Sequence, residues 1–155
     1  MPKMTLGYAK NTIRRALRTV VDPEPTAKEV SSLWEYFGSA CAYCGLLLKK
    51  ENREGHIDHL ISATKDGVNH ISNRVLSCPI CNGDEKGESP WLEFLTRKVK
   101  DSSLFESRKN RIEKWISLMS PSNRNIINHE LLEQVTNKII EAFDNAIDVL
   151  RRSRE

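Results

Sequence analysis

Apolar positions recur along this chain at two different spacings. Between residues 9 and 21, Ile13, Leu17 and Val20 fall at helical spacing, with Lys10, Arg14 and Arg18 on another face at i, i+4 and i+8. Asp22-Pro23-Glu24-Pro25 breaks that helix. Thr26 and Glu29 then form a capping-box pattern. The stripe that follows, Val30, Leu33, Trp34 and Phe37, predicts a buried helix ended by Gly38. The period then shortens. His56 to Ile61 and Arg74-Val75-Leu76 read as two short strands, divided by a loop over 62–72 that holds Ser62, Asp66, Gly67 and Asn69. Cys78-Pro79 opens a short helix closed by Gly87, with Pro79 at the first helical position, where its missing N–H costs nothing.

Beyond Gly87 the pattern is helical to the end. Ser89-Pro90 caps a helix that buries Trp91, Phe94 and Leu95, and Ser103 with Glu106 forms a second capping box before Ile112, Trp115, Ile116 and Met119. Ser120-Pro121 marks a bend. Residues 129–151 predict the longest helix, with Leu132, Val135, Ile139, Phe143, Ile147 and Leu150 at helical spacing. That stripe is expected to dock on the rest of the fold, with a homodimer or a protein partner on the C-terminal helices as the alternative. The fold expected is α+β: a small two-strand core flanked by several α-helices. The segments expected are basic and packing helices over 1–37, the core over 38–95, and a helical region over 96–155.

The chain has 155 residues, 29% charged and 39% hydrophobic, as in an ordinary soluble globular protein. Its net charge of +3 is too small to announce nucleic-acid binding. The distribution says more. Lys3, Lys10, Arg14, Arg15 and Arg18 precede any acid, and Arg151, Arg152 and Arg154 crowd the C-terminus. Such clusters suit a polyanion, with a solvated helix face as the plain alternative. No leader-like apolar stretch follows MPKMTLGYAK and no run is long enough for a bilayer, so a cytoplasmic protein is expected.

All four cysteines fall in two Cys-x-x-Cys pairs, Cys41/Cys44 and Cys78/Cys81. Paired spacing of this kind argues for zinc rather than disulfides. A redox Cys-x-x-Cys would need a βαβ setting, which is missing here. A site saturated by thiolates is structural, with no open position for catalysis. Between the pairs lie Asp58 and His59, and Asn82 follows the last cysteine. A carboxylate and an amide carbonyl are hard oxygen donors that suit Mg²⁺ or Mn²⁺. His59 is the nearby residue that titrates near neutrality and is the natural general base. On a regular strand Asp58 and His59 point to opposite faces, so a common site needs the strand to end or bulge there. Asn82 and Lys86 share a helix face at i, i+4.

HIDHLIS, NRVLSCPICN and the flanking CAYC resemble the HNH endonucleases of the ββα-metal fold. The nearest pattern is the zinc-binding four-cysteine branch that includes phage endonuclease VII and HNH restriction enzymes. The resemblance covers roughly residues 38–95. It implies His59 as the base, Asp58 and Asn82 as ligands of a catalytic Mg²⁺ or Mn²⁺, and Asn73 as the middle asparagine that braces the loop, with Asn69 the weaker candidate. Ser62 stands where the family has a proline. His56 shares Asp58's strand face and is a candidate for the phosphate or the metal, against the commoner reading of a satisfied strand histidine. Arg74 and Lys86 are candidate phosphate contacts. Lys10, Arg14 and Arg18 are expected on the DNA backbone. The activity expected is Mg²⁺-dependent cleavage of DNA to 5′-phosphate and 3′-hydroxyl ends. The alternatives are a nuclease subunit active only inside a defence or restriction complex, and a non-catalytic zinc-stabilised nucleic-acid-binding module.

Overall fold

The computed structural model describes residues 5–65, 67–120 and 129–153. Lys3, Asp66, Pro121 and Arg154, named above, lie outside them. The chain divides into two units: Glu24–Arg124, and the two chain ends Met1–Pro23 with Asn125–Glu155.

The central unit is built on a hairpin. Strand β1 (His56–His59) pairs antiparallel with β2 (Arg74–Ser77), Asp58 opposite Val75 and His59 opposite Arg74. β1 stops two residues short of the expected Ile61 because an asparagine takes over from the ladder. Leu60 N donates to the Asn73 carbonyl at 2.8 Å, and the Asn73 side chain then holds both backbone groups of Ile61. Helix α1 (Leu6–Val21) belongs to the other unit, while α2 (Ala27–Tyr36) packs on β2. The capping box of α2 forms as expected: Thr26 Oγ1 accepts from Glu29 N at 3.3 Å, and Glu29 Oε2 accepts from Thr26 N at 2.8 Å. Leu33, Trp34 and Phe37 bury, and Gly38 ends the run at φ +60°.

Two later helices close the core. α3 (Trp91–Lys98) supplies Phe94 and Leu95, and α4 (Ser102–Met119) supplies Ile112 and Trp115. Trp115 Nε1 donates to the carbonyls of Arg74 at 2.9 Å and Ile71 at 3.2 Å, which fastens α4 to the start of β2. The cap of α4 differs from the Ser103–Glu106 box. Asp101 Oδ1 accepts from Leu104 N at 2.7 Å, so the carboxylate one residue outside the helix outcompetes the serine hydroxyl. The segment after Cys78-Pro79 also differs in kind. Ile80–Glu85 is a π-helix, with Lys86 N donating to the Cys81 carbonyl five residues back at 3.1 Å. α2 and α4, expected in the N- and C-terminal segments, both group with the hairpin.

In the other unit, α1 packs against α5 (His129–Arg152). Thr5 caps α1, and Lys10 Nζ meets Asp144 Oδ1 at 2.6 Å. Ile13 and Leu17 on α1 and Leu132, Phe143 and Ile147 on α5 are half-buried, while Val135, Ile139 and Leu150 of the expected stripe are exposed. No described helix is long and apolar enough to cross a membrane.

Candidate functional site

The four cysteines converge. Cys41 and Cys44 come from the turn after α2, Cys78 and Cys81 from the end of β2 and the π-helix. Their sulfurs lie within 4.8 Å of one another, and Cys44 Sγ is 3.8 Å from Cys78 Sγ. Zinc–sulfur bonds of about 2.3 Å give a tetrahedral edge of about 3.8 Å, so the donor set fits zinc. None is in a disulfide. Crowded thiols cannot all ionise alone. A hydrogen bond from Cys81 holds Cys41 down to about 4, while burial pushes Cys44 up to about 11. A divalent cation removes that conflict by making every sulfur a thiolate.

The turn between Cys41 and Cys44 is gripped from both sides. Ala42 N donates to the Leu76 carbonyl at 2.8 Å. From α4, Arg108 donates to the carbonyls of Tyr43 at 2.6 Å and Cys44 at 2.8 Å. Gly45 sits at φ +78°, and a Cβ there would lie 2.7 Å from the Arg108 guanidinium, so only glycine suits the position. No sequence signal marked Arg108: nothing in its spacing points to a turn more than sixty residues away.

One face of β1 carries His56 and Asp58. Asp58 is 6% exposed. Its Oδ2 accepts from Tyr43 Oη at 2.9 Å and lies 3.2 Å from Lys86 Nζ. Lys86 also donates to the His59 carbonyl at 2.7 Å. Lys86 was expected at the phosphate; at 3% exposed, it is instead the counter-charge of Asp58. Burial pushes the Asp58 carboxyl up, and Lys86 pulls it back. Burial and the Asp58 charge push the Tyr43 phenol up, so it remains a donor. His56 is exposed, and Asn82 Nδ2 donates to its Nδ1 at 3.0 Å. Asp58, His56, Asn82 and Lys86 therefore gather on one side. Asp58 and Asn82 are donors of the right type for Mg²⁺ or Mn²⁺; an ion bound there must take the place of the Lys86 ammonium.

His59 is not brought into that group. The strand stays regular through residue 59, and the ring turns to the other side. Its Nε2 lies 3.1 Å from Asn69 Oδ1, and Arg74 Nη1 donates to its Nδ1 at 3.1 Å. Arg74, also expected at the phosphate, is 5% exposed and turned inward. It holds Glu24 Oε2 at 2.7 Å and both the side-chain and main-chain oxygens of Asn69. Burial, with the Arg74 charge behind it, keeps His59 below the usual histidine value, which favours the neutral ring. Asp58 and His59 remain close enough to feel each other's charge. Asn73 braces the loop, bonding Ile61 on both backbone groups and donating to Val68 O at 2.8 Å. Ser62, at the place of the family's proline, accepts from Lys65 N and Gly67 N at 2.9 Å each.

The row of basic residues on α1 is interrupted. Lys10 is turned onto Asp144, and Arg18 Nε lies 3.8 Å from Asp22 Oδ2, which leaves Arg14 as the exposed member.

Residues 41–88 match the family model described as HNH endonuclease. No curated protein matches the chain. The matched stretch holds both cysteine pairs, the hairpin and the π-helix, and its convergent sulfurs agree with the zinc-binding branch of that family. A domain of this type goes with a nuclease or another metal-dependent function on nucleic acid.

Proposed function

With an HNH endonuclease domain at residues 41–88 as the premise, we propose that the protein is a metal-dependent endonuclease that hydrolyses phosphodiester bonds in DNA. The observation that carries this reading is the setting of His59: a half-buried imidazole whose Nδ1 accepts from Arg74 and whose Nε2 faces Asn69 Oδ1, at the end of a strand fastened beside a zinc-sized thiol cluster. Such a ring is suited to take a proton from water. Its Nδ1 would become available when the attacking water takes the place of the Arg74 Nη1 contact, while Arg74 keeps its hold on Asn69 and Glu24. Asp58 and Asn82 would hold Mg²⁺ or Mn²⁺, whose charge would stabilise the developing phosphorane and the leaving oxygen. Lys86, displaced from the carboxylate, stays tied to the His59 carbonyl within the same pocket of charge. Products would carry 5′-phosphate and 3′-hydroxyl ends. The exposed Arg14 and the half-exposed Lys10 and Arg18 would meet the DNA backbone. Free thiols suit a reducing cytoplasm.

A plasmid-nicking assay with the zinc-loaded protein, with and without Mg²⁺ or Mn²⁺, tests the proposal. Nicking is expected with the ion and lost in His59→Ala, with zinc content and fold unchanged. Full nicking by that variant would remove His59 as the base. A second reading has support in one observation: Asp58 is capped by Lys86 and His59 by Arg74. That arrangement suits a zinc-stabilised binding module without catalysis, or a nuclease subunit opened only by a partner. DNA binding without nicking selects the first, and nicking only in the presence of a partner selects the second.

A further inference from the structure

The two nitrogens of His59 meet different partners, and hydrogen-bond logic assigns their protons. Asn69 Oδ1 receives Arg74 Nη2 at 2.8 Å. A guanidinium only donates, so the Asn69 atom at that point must be the carbonyl oxygen. The same oxygen lies 3.1 Å from His59 Nε2. A carbonyl oxygen only accepts, so Nε2 must carry a hydrogen. With that hydrogen on Nε2, the lone pair falls on Nδ1, as the Arg74 donor facing that atom requires. Arg74 Nη1, 3.1 Å from Nδ1, is again a pure donor and selects the same tautomer.

The asparagine is itself held. It is 9% exposed, its main-chain oxygen accepts from Arg74 Nε at 3.2 Å, and Arg74 is anchored on Glu24. Asn73 ties the neighbouring Val68 to the end of β1. The loop therefore delivers Asn69 Oδ1 to two donors at once, Arg74 Nη2 and His59 Nε2.

We propose that Asn69 is a positioning residue: it fixes His59 as the Nε2–H tautomer and so makes Nδ1 the atom that accepts the proton. The assignment of a catalytic purpose rests on the reading of His59 as the base. Arg74, through its hold on Asn69, supports the same orientation.

The test is a long-range proton–nitrogen correlation spectrum of the zinc-loaded protein with labelled histidine nitrogens, near neutral pH. Wild type is expected to show a protonated Nε2 and an unprotonated Nδ1 at His59. Asn69→Ala removes both the acceptor of the Nε2 hydrogen and the oxygen that holds Arg74 Nη2 beside the ring, so both selectors of the tautomer weaken. The two nitrogens should shift toward averaging, and kcat should fall about tenfold at unchanged KM, less than the loss of the base itself. Asn69→Asp keeps an accepting oxygen and should restore the Nε2–H signature. A protonated Nδ1 in wild type, or an unaltered spectrum in Asn69→Ala, would overturn the proposal. Should Asn69→Ala fail to fold, the wild-type spectrum decides. The base reading fails separately: undiminished nicking by His59→Ala would end it while the spectra still judge the clamp.

Discussion

Replacing Lys86 by methionine keeps the shape of the side chain and removes its charge. The ammonium is 3.2 Å from Asp58 Oδ2, and both side chains are nearly inaccessible, at 1% and 7% exposure. At an effective dielectric of ~20, that separation corresponds to about 5 kcal/mol of direct attraction. Not all of it is lost. Tyr43 Oη still donates to the carboxylate, and the carboxyl can take up a proton. A net cost of about 3 kcal/mol is expected, at the low end for breaking a buried pair. For a unit of this size that lowers Tm by about 12 °C or more. Circular-dichroism melts at fixed zinc measure it. The sign of the pH dependence follows from Asp58. Its folded pKa is already raised by burial above 3.8, so the protonated form is favoured and that contribution fades as pH rises through the folded value. Removing Lys86 raises the folded value further. The deficit of Lys86→Met should therefore shrink as pH falls toward 3.8 and widen above it. Lys86→Met combined with Asp58→Asn should recover most of the loss, because both partners are then neutral. A single variant within about 0.5 kcal/mol of wild type would refute the reasoning, since that is the scatter of surface changes. A deficit that ignores pH would show that the Asp58 charge is not its origin.

Three further outcomes are expected. Asn82→Ala should raise the Mn²⁺ concentration needed for half-maximal nicking about tenfold or more, and an unaltered titration would exclude Asn82 as a ligand. Cys78→Ser, or removal of zinc by a chelator, should abolish the cooperative melt, because free energy of zinc binding is folding free energy for a cluster of this kind; a melt like that of wild type would exclude a structural ion. Arg108→Ala removes two charge-assisted hydrogen bonds to the carbonyls of Tyr43 and Cys44. It should cost about 3 kcal/mol and weaken zinc retention in a competition with a chromogenic chelator; stability unchanged from wild type would make that grip dispensable.

The legible parts of this protein are those with a local signature. The Thr26–Glu29 box, the stripe of α2, the paired cysteines and the two short strands each follow from residues within one turn or one strand of each other. The parts that escaped are long-range or depend on hydrogen-bond register. Periodicity does not separate an α-turn from a π-turn over six residues, so the wide helix at Ile80–Glu85 had no signal. Arg74 and Lys86 were read as outward cations because basic residues are usually solvated. Each is buried against an acid, Glu24 and Asp58, that sits far off in sequence and that no spacing connects to it. Tyr43 lay in plain view inside CAYC, yet a knuckle tyrosine reads as packing until the strand brings Asp58 to its hydroxyl. The strand's alternation carries through residue 59, so Asp58 and His59 each take their own set of partners rather than the common site expected from the sequence.

That division has a consequence for how the site is assembled. The turn from Cys41 to Cys44 supplies two sulfurs to the zinc cluster and, between them, the tyrosine that holds Asp58. The π-helix supplies the last sulfur, then Asn82 to His56, and its end supplies Lys86 to Asp58. Tyr43, Asn82 and Lys86, which hold His56 and Asp58, are thus each within five residues of a cysteine in the sequence. The His59 face is built differently, from Asn69 of the loop, Arg74 of β2 and Glu24. The zinc cluster therefore positions the oxygen donors directly, and the His59 ring only through the fold as a whole. The tautomer of His59, held by Asn69 and Arg74, should persist for as long as the hairpin and α4 remain paired through Trp115.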